Sequence, residues 1–337
     1  MSENNKVLEV KDLKTYFYTD EGVVKAVDGI SFDLACNETL GIVGETGSGK
    51  SVTALSILRL IPQPLGKIIN GQIIFDGKDL LKIDLKSLQS YRGNRISMIF
   101  QDPMTSLNPV YTIGDQIMES VIIHQKLDKK SAKKEAIRLL EIVGIAEVRK
   151  CLACYPHEFS GGMRQRVMIA MAIANSPDIL IADEPTTALD VTIQAQILEL
   201  IDELKHKMNS SIILITHDLG VVAKYADRVM VMYAGKTVEF SSVDNIYYRP
   251  LHPYTIGLMN SIARLDEGKK GKLKPIEGLP PSLIDLPKGC TFRDRCVYGK
   301  DECRGRDYPP LIEIEEKHFV ACSRSKEILE NRIKQES

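Results

Sequence analysis

A glycine-rich segment near the start of the chain has the composition and spacing of a phosphate-binding loop. The segment GETGSGKS (44–51) follows a short apolar run, LGIVG, and precedes SVTALSILRLI, which has helical spacing. Its three glycines let backbone N–H groups wrap phosphates at the N-terminus of a helix. In this pattern Lys50 bridges the terminal phosphates and the Ser51 hydroxyl holds Mg²⁺. The segment therefore predicts a nucleotide site, and a glycine-rich turn without a ligand is the alternative.

Two acidic residues close a second apolar run, ILIADE (179–184), where phosphoryl transfer needs carboxylates. Asp183 lies at the mouth of the predicted strand and suits the Mg²⁺ side, and Glu184 suits the general base that activates water. A strand that ends in two solvated acids is the alternative. His217 follows the run ILIT, where its side chain could contact the γ-phosphate, although a lone histidine is more often structural.

A second Ser-Gly-Gly cluster, FSGGM (159–163), raises the question of its ligand, because one nucleotide needs only one glycine cradle. Ser160 can cap the helix that follows, which leaves the amides of Gly161 and Gly162 as an anion site at a positive helix end. A long stretch with a helical insertion separates the cluster from Lys50. The cluster either folds back over its own phosphate loop or, in a head-to-tail pair of chains, closes over the partner's nucleotide. The sequence permits the second arrangement more readily.

The elements that must position these residues alternate between strands and helices. Three apolar runs are separated by helical segments: DILIADE, SIILITHD and RVMVMYAG. This alternation indicates an α/β fold with a parallel sheet buried on both faces. The alternating apolar residues of LEVKDL and AVDGISFDL predict antiparallel strands, and residues 112–145 predict a helical insertion. Beyond about residue 245 the composition shifts to Pro, Gly and Lys, which predicts a C-terminal appendage.

Composition restricts the class of protein. The 337 residues carry a formal net charge of -1, so no global field recruits nucleic acid or anionic lipid. No apolar stretch approaches the roughly 20 residues of a membrane span, and MSENNKVLEV lacks the apolar core of a signal peptide. A cytosolic protein is expected, in which the seven cysteines are free thiols or metal ligands and do not form a disulfide framework.

Over about residues 6–245 these motifs resemble those of ATP-binding cassette (ABC) ATPases. GETGSGKS resembles the Walker A motif, ILIADE the Walker B motif and FSGGMRQR the signature motif. The resemblance implies an α/β fold of the P-loop NTPase (RecA-like) class, with a parallel sheet core, an antiparallel β subdomain and a helical signature-motif subdomain at about 103–165. The nucleotide-binding domain would span 1–245, and 246–337 would form a small irregular C-terminal domain.

The resemblance also implies roles in a dimer that sandwiches nucleotide between two cassettes. Gln101, Glu184 and His217 match the Q-loop glutamine, the general base and the switch histidine, and would be catalytic. Mg²⁺ would be held by Ser51 and Gln101. The residues implied to bind ATP within one chain are Phe17, Gly44, Thr46, Gly47, Ser48, Gly49, Lys50, Ser51, Val52 and Asp183. Those implied to contact the partner's ATP are Ser160, Gly161, Gly162 and Asp190, the last from the D-loop match TALD.

Two positions qualify this correspondence. Phe17, in LKTYF, is the best match to the aromatic residue that stacks on adenine, and Tyr16 would point the other way if the strand register slipped. Met163 stands where many members carry Gln. That departure leaves the Ser-Gly-Gly contacts with phosphate available and affects only local contacts.

Two further stretches, FQDPMTSLNP (100–109) and RPLHPYT (249–255), resemble the ATPase subunits of bacterial dipeptide and oligopeptide importers. Nickel importers share much of this pattern, so the cargo stays open. The implied partners are two membrane permease subunits, a second ABC ATPase subunit and, indirectly, an extracytoplasmic solute-binding protein, with no nucleic acid. The chain would lie peripherally on the cytoplasmic face of the cell membrane.

Two other classes are weighed against an importer. Soluble cassette ATPases that act on ribosomes usually carry two cassettes in one chain, and DNA-repair relatives insert a long coiled coil before the signature motif. This chain has one cassette and a short insertion. A purely regulatory nucleotide-binding module would lack the general base, but Glu184 is present.

A cluster of thiols in the C-terminal segment suggests a ligand that substitutes for a core: Cys290, Cys296, Cys303 and Cys322. Structural zinc usually takes tight Cys-x2-Cys pairs, which these four lack, whereas an iron–sulfur cube accepts ligands from wider loops. The resemblance to peptide-importer ATPases, some of which bind such a cluster there, favours [4Fe-4S] over Zn²⁺. Four unligated thiols, or two disulfides, are the remaining alternative. The other cysteines are expected to be ordinary packed thiols: Cys36, Cys151 and Cys154.

Overall fold

The chain folds into strands and helices. The computed structural model describes residues 6–187, 189–261, 275–305 and 307–336. The strands are β1 (Lys6–Thr19), β2 (Gly22–Ala35), β3 (Thr39–Val43), β4 (Gly66–Phe75), β5 (Lys78–Asp79), β6 (Ile96–Ile99), β7 (Ile179–Asp183), β8 (Ser211–Thr216), β9 (Arg228–Tyr233), β10 (Lys236–Ser242), β11 (Ile312–Glu315) and β12 (His318–Val320). The helices are α1 (Lys50–Ile57), α2 (Leu85–Gln89), α3 (Pro103–Ser106), α4 (Ile113–Gln125), α5 (Lys129–Ile142), α6 (Val148–Cys151), α7 (Gly161–Ile173), α8 (Val191–Met208), α9 (Leu219–Tyr225), α10 (Val243–Tyr248), α11 (Pro253–Asn260) and α12 (Ser325–Glu336).

The chain divides into two compact units, each with its own strands and helices. The first unit contains the described residues up to 9 together with 33–39 and 74–215. The second contains 10–32, 40–73 and the described residues from 216 onward. In neither unit do the described residues include a helix that is long and apolar enough to cross a membrane.

Three parallel strands form the centre of the first unit. β6 pairs with β7 in the register Ile96↔Ile179, and β7 pairs with β8 in the register Ile179↔Ser211. Every residue of β7 and β8 is buried, which is why these strands are apolar throughout and do not alternate. The carboxyl end of β7 brings Asp183, and Glu184 directly after it, to the edge of the sheet.

The helical insertion predicted at 112–145 forms α4 and α5, which pack on each other and on α7. Each helix begins at a side chain that accepts a backbone N–H: Thr112 for α4, Asp128 for α5 and Ser160 for α7. These caps satisfy amides that a helix leaves without an internal partner. The buried face of α5 repeats with helical spacing, at Ala132, Ala136, Leu139 and Leu140.

The second unit contains a mixed sheet that leads into the glycine-rich loop. β3 runs parallel to β9, in the register Leu40↔Arg228, and β9, β10, β12 and β11 continue the sheet as antiparallel neighbours. β3 is buried along its whole length, and α1 begins at Lys50 after the loop. A separate sheet places β1 between β2 and β4. The predicted α/β class, with a parallel core and an additional β layer, is confirmed.

Aromatic packing orders the C-terminal segment, the described residues from 246 onward, within the second unit. The ring of Phe292 lies 5.2 Å from that of Tyr233 and 5.4 Å from that of Tyr254, measured between centroids, both nearly edge-on. Further apolar side chains of the segment pack on the same core: Ile276, Leu283 and Leu286. The segment therefore shares a core with the cassette, and a ligand is not the only source of its order.

A buried polar network also ties the C-terminal segment to β10. Glu239 accepts hydrogen bonds from the amides of Leu251 and His252, and it hydrogen-bonds the His318 ring at 2.7 Å. Glu239 and His318 are both fully buried. Burial lowers the pKa of His252 to about 4, so that ring is neutral. These bonds cross the predicted domain boundary at 245, which stays a prediction.

Candidate functional site

The loop between β3 and α1 has a backbone that side chains would block. Gly44 and Gly49 have φ angles of 156° and 102°. A Cβ atom at either residue would lie 2.2 Å from a backbone oxygen, of Met232 and Ala26 respectively. Gly47, with φ of 79°, has open space where its Cβ would be. The loop therefore packs closely on its neighbours and leaves its tip clear for a ligand.

Lys50 is buried and turns back over the loop. Its Nζ donates to the carbonyl oxygens of Gly44 at 2.8 Å and of Glu45 at 3.1 Å. The amide of Ser48 also donates to the Glu45 carbonyl, at 3.1 Å. The amides that follow Glu45 lie at the N-terminus of α1, where the helix dipole favours an anion.

The other predicted loop residues differ in exposure. Thr46 is exposed, Ser48 is buried, and Ser51 and Val52 are half-buried in the first turn of α1. The Oγ atom of Ser48 has no hydrogen-bond partner among the described residues.

Two side chains that sequence analysis missed hold Glu45, the second residue of the loop. The Tyr254 hydroxyl accepts a hydrogen bond from the Glu45 amide at 2.8 Å. The Arg295 guanidinium binds the Glu45 carboxylate through two hydrogen bonds, of 2.7 and 3.0 Å. These partners are 209 and 250 residues away along the chain, so no local pattern could have indicated them.

His217 lies in the second unit, one residue beyond the end of β8, and it is exposed. The next residue, Asp218, caps α9 by accepting hydrogen bonds from the amides of Gly220 and Val221. The cap fixes the backbone directly after His217. The imidazole is therefore exposed at a strand end, and its contact with the γ-phosphate stays a prediction.

Tyr16 and Phe17 are consecutive in β1, so their side chains point to opposite faces of the strand. The Tyr16 hydroxyl donates to Asp28 at 2.7 Å. Burial and this hydrogen bond both raise the pKa of Tyr16. Phe17 is half-buried, on the other face of the strand. The fixed contact of Tyr16 agrees with Phe17 as the candidate for stacking on a base, which stays a prediction.

The two carboxylates that follow β7 have different surroundings. Asp183 is buried, whereas Glu184 is half-buried with a φ of 44°, a strained left-handed conformation for a residue with a side chain. The Glu184 carboxylate accepts hydrogen bonds from Gln101 Nε2 at 3.0 Å and from Thr187 Oγ1 at 2.9 Å. The structure therefore brings Gln101 and Glu184 together, and the hydrogen bonds from Gln101 and Thr187 hold the carboxylate.

The signature segment lies against the start of α8. Ser160 caps α7, because its Oγ atom accepts a hydrogen bond from the Met163 amide at 3.4 Å, and Gly161 begins that helix. A Cβ atom at Gly162 would lie 3.0 Å from the Ile193 side chain. Asp190 caps α8 through the amide of Ile193, at 3.0 Å. The structure thus places the signature glycines beside the D-loop in the first unit.

The predicted site residues divide between the two units. The phosphate loop, Phe17 and His217 belong to the second unit. The first unit holds Gln101, Asp183, Glu184, Ser160, Gly161, Gly162 and Asp190. Chemically, the set in the second unit can bind phosphate, and the set in the first can supply a carboxylate for a cation, a general base and an anion-binding helix end.

The four C-terminal thiols line one small cavity, which also contacts His252 and Phe292: Cys290, Cys296, Cys303 and Cys322. Its free volume is about 10 Å³, room for about one water molecule. Burial raises the pKa of Cys290 to about 11 and that of Cys322 to about 12, so both are protonated at neutral pH. No group of three His, Cys, Asp or Glu residues in the described part of the chain has the geometry of a metal-ion site. The thiols converge as predicted, but this arrangement does not support the predicted [4Fe-4S] cluster or zinc.

The remaining cysteines differ from one another. Cys151 is buried, and burial raises the pKa of its thiol. Cys154 is half-buried. Cys36 is exposed, and the expectation that it packs in the interior is wrong, because it lies in the turn between β2 and β3.

Two family descriptions match successive parts of the chain. The family described as "ABC transporter" matches residues 27–187. The family described as "Oligopeptide/dipeptide transporter, C-terminal region" matches residues 238–303. The first match includes the phosphate loop and the signature segment, and the second includes three of the four clustered cysteines.

Related proteins align along nearly the whole chain. The oligopeptide transport ATP-binding protein OppD of Bacillus subtilis is 54% identical over 315 residues, which cover 94% of this chain and 88% of that protein. The dipeptide transport ATP-binding protein DppD of the same organism is 53% identical, with 94% of each chain covered. A solved structure of the ATP-binding cassette MJ0796, dimeric in a post-hydrolysis state with ADP and Pi, superposes with a TM-score of 0.63 at 25% identity. That superposition covers 70% of this chain and 98% of MJ0796.

Proposed function

This chain belongs to the ABC transporter ATPases of the oligopeptide/dipeptide type, and we propose that it hydrolyses ATP to power the import of dipeptides or oligopeptides. The observation that carries the proposal is the identity of more than half of the aligned residues, which cover 94% of the chain, to oligopeptide and dipeptide transport ATP-binding proteins. The C-terminal family match extends this likeness beyond the cassette itself.

In the proposed reaction, Glu184 acts as the general base that takes a proton from the attacking water. Its carboxylate is held by Gln101 and Thr187, so a water molecule would meet a carboxylate with a fixed orientation. The loop amides and Lys50 bind the phosphates, and His217 contacts the γ-phosphate. Phe17 stacks on the adenine ring. These roles rest on membership of the family together with the local geometry of each set.

Mg²⁺ is part of the proposal, because phosphoryl transfer from ATP needs a cation that neutralises charge on the phosphates. Oxygen donors suit this ion, and the chain offers them at Ser51 and Gln101, with Asp183 at the strand end beside the general base. The donor chemistry therefore fits.

We also propose that the signature segment serves the nucleotide of a second cassette. Ser160, Gly161 and Gly162 lie at a capped helix N-terminus that can bind an anion, with Asp190 beside them. The related cassette MJ0796 is dimeric in its solved structure. Mixing Lys50→Ala and Ser160→Arg chains would leave one intact composite site in each mixed dimer, so activity should partly return. Full activity of Ser160→Arg alone would contradict this arrangement.

The proposed partners are two membrane permease subunits, a second ABC ATPase subunit and, indirectly, an extracytoplasmic solute-binding protein, at the cytoplasmic face of the membrane. The segment around Gln101 supports docking to a permease because several large apolar side chains are exposed there: Phe100, Met104, Val110 and Tyr111. Nothing in the proposal involves nucleic acid. Val191, beside Asp190, is also strongly exposed, as a residue at a cassette interface would be in one isolated chain.

For the four thiols we propose a [4Fe-4S] cluster, with Zn²⁺ as the alternative. Four cysteine sulfurs around one cavity are a suitable donor set for either group. A cluster would need the cavity to open, because about 10 Å³ holds no more than a water molecule. Anaerobic purification followed by metal analysis tests this directly. Brown protein with about four irons per chain supports the cluster, zinc supports the alternative, and metal-free folded protein contradicts both.

Co-purification with the permease subunits tests the proposed function. After co-expression, the wild-type chain should elute with the permeases from solubilised membranes. Tyr111→Lys should reduce this association, whereas Leu85→Lys, at a similarly exposed apolar residue on α2, should not. Absence of the wild-type chain from the permease complex would contradict the proposal, and co-elution with ribosomes or DNA would favour a soluble cassette ATPase instead.

A further inference from the structure

Five hydrogen bonds converge on Glu45, a loop residue that the proposed chemistry does not use. Its amide donates to the Tyr254 hydroxyl, and its carboxylate accepts two hydrogen bonds from Arg295. Its carbonyl accepts hydrogen bonds from Ser48 and Lys50, both within the phosphate loop. Glu45 therefore connects the C-terminal segment, through its side chain and amide, to the loop, through its carbonyl.

The Arg295 guanidinium is fixed at every nitrogen. Nε donates to the Glu277 carbonyl at 3.0 Å, and both terminal nitrogens donate to Glu45. One of them also donates to the Tyr233 hydroxyl at 3.3 Å, and the other to the Ile276 carbonyl at 3.5 Å. A planar fork bound in this way sets both the distance and the angle of its carboxylate partner.

Burial distinguishes this ion pair from surface pairs of little consequence. The Arg295 side chain is 8% exposed and that of Glu45 is 26% exposed. Burial alone would lower the pKa of Arg295, but the hydrogen bonds with Glu45 and Tyr233 outweigh it, and the pKa is raised. Exposed ion pairs are weakened by solvent screening and by the entropy that mobile side chains lose. The Arg295–Glu45 pair is shielded from solvent, and its guanidinium is already held by other hydrogen bonds, so both losses are small. Removing one partner leaves a largely buried charge without its counter-ion.

The position of Arg295 is in turn set by the thiol-bearing segment. Arg295 ends a short 3-10 helix, Arg293–Arg295, and Cys296 follows it directly. The guanidinium carbon lies 5.8 Å from the centre of the Tyr233 ring and 5.9 Å from that of the Phe292 ring, within cation–π range. The fold of the C-terminal segment therefore determines the position of the Arg295 guanidinium, and the guanidinium determines the position of the Glu45 carboxylate.

From these contacts we propose that Arg295 and Tyr254 are positioning residues for ATP: they fix Glu45 and so hold the following loop amides in the phosphate-binding arrangement. The inference rests on the proposed assignment of this loop to ATP. A loop ordered before the nucleotide arrives loses less conformational entropy on binding, so affinity is higher than for a mobile loop. Neither residue touches the reacting atoms. The C-terminal segment thereby contributes to nucleotide affinity.

Nucleotide affinity of the full-length chain, measured by isothermal titration calorimetry, tests the inference. Arg295→Gln should weaken ATP and ADP binding about equally, by about tenfold, which corresponds to about 1.4 kcal/mol. The turnover number at saturating ATP should change by less than about threefold, because the loss is in binding common to ground and transition states. Arg295→Lys keeps the charge without the fork and should fall between Arg295→Gln and the wild type.

A double-mutant cycle and hydrogen exchange separate positioning from general support. Glu45→Gln combined with Arg295→Gln should weaken ATP binding no more than the more damaging single change, because both remove the same contact. In nucleotide-free Arg295→Gln, amide exchange across the 44–51 loop should be faster than in the wild type.

The matched control is Arg324→Gln. Arg324 belongs to the same C-terminal segment, its side chain is 9% exposed, and its Nε donates to Glu327 at 3.0 Å. This variant should lose stability but keep the wild-type ATP affinity within about twofold. Wild-type affinity in both Arg295→Gln and Arg295→Lys would overturn the inference, as would an equal loss of affinity in Arg324→Gln. If the wild-type chain itself failed to bind ATP, that result would contradict the proposed function, and not only the role of Arg295.

Discussion

The phosphate loop and the thiol cavity are both predicted ligand sites of the second unit, but they are built differently. The loop is shaped by its backbone: Gly44 and Gly49 occupy places where a Cβ atom would meet a carbonyl oxygen at 2.2 Å. The cavity is shaped by side chains, and burial raises the pKa of its Cys290 thiol to about 11 and that of its Cys322 thiol to about 12. The first site has donors in place for an anion, whereas the second must lose protons and widen before it holds a metal group.

The difference shows in how each ligand would alter the protein. Binding of phosphate at the loop requires no loss of protons from the site, because the donors are backbone amides at the N-terminus of α1, where the helix dipole favours an anion. Binding of a metal at thiols requires thiolates, so protons are released as the metal enters.

A methyl group at Gly49 should abolish nucleotide binding. Gly49→Ala places a Cβ atom 2.2 Å from the Ala26 carbonyl oxygen at a φ of 102°, so the loop backbone must move. We expect ATP affinity to fall at least about hundredfold, measured by calorimetry on the folded chain.

The control for this change is Gly77→Ala, in the turn between β4 and β5. Gly77 also has a positive φ, of 72°, but its Cβ would meet nothing within 4 Å. Its ATP affinity should equal that of the wild type. Tight ATP binding by Gly49→Ala would show that the loop backbone is not the binding surface.

Metal loading of the thiols should depend steeply on pH. Below the raised pKa values of Cys290 and Cys322, both thiols must release a proton to bind a metal, so lowering the pH opposes loading. We expect apparent affinity for Zn²⁺ to fall about tenfold per pH unit for each proton released, between pH 8.5 and about 6.5.

ATP affinity, measured between pH 8.5 and 7.5, should change much less, because the loop amides do not titrate. The thiol ligands can be checked with Cys296→Ser, which should lower metal content, whereas Cys36→Ser, at the exposed turn, should not. Metal loading that is independent of pH would contradict the assignment of protonated thiols.

A small effect is expected from a side chain of the loop itself. Thr46 is exposed, and in the proposed site its backbone amide, not its hydroxyl, would contact phosphate. Thr46→Ala should therefore change ATP affinity by less than about threefold in the same calorimetric assay. A loss as large as that of Gly49→Ala would mean that side chains determine binding in this loop.

The sequence predicts the fold and the loop well because both depend on short-range patterns. The apolar strand before Gly44 and the helix from Lys50 are adjacent in the chain, and so are Asp183 and Glu184 after β7. These elements can be predicted without knowing which distant residues are in contact.

What the sequence does not reveal depends on tertiary contacts or on local turns. The ion pair between Arg295 and Glu45 joins residues that are 250 positions apart along the chain, and it follows from the packing of the C-terminal segment on Tyr233. The exposure of Cys36 follows from a turn between two strands that hydropathy alone does not locate. The convergence of the four thiols could be suggested by their number and segment, but the raised pKa values of Cys290 and Cys322 follow from burial, which the sequence does not show.

The most direct test of the central claim, that ATP hydrolysis by this chain powers peptide import, is made with Glu184→Gln in the transporter reconstituted with its permeases. We expect this variant to bind ATP as the wild type does, but to hydrolyse it at least about hundredfold more slowly, because the general base is lost. Peptide uptake into the vesicles should fall with it. Hydrolysis and uptake at wild-type rates in Glu184→Gln would contradict the claim.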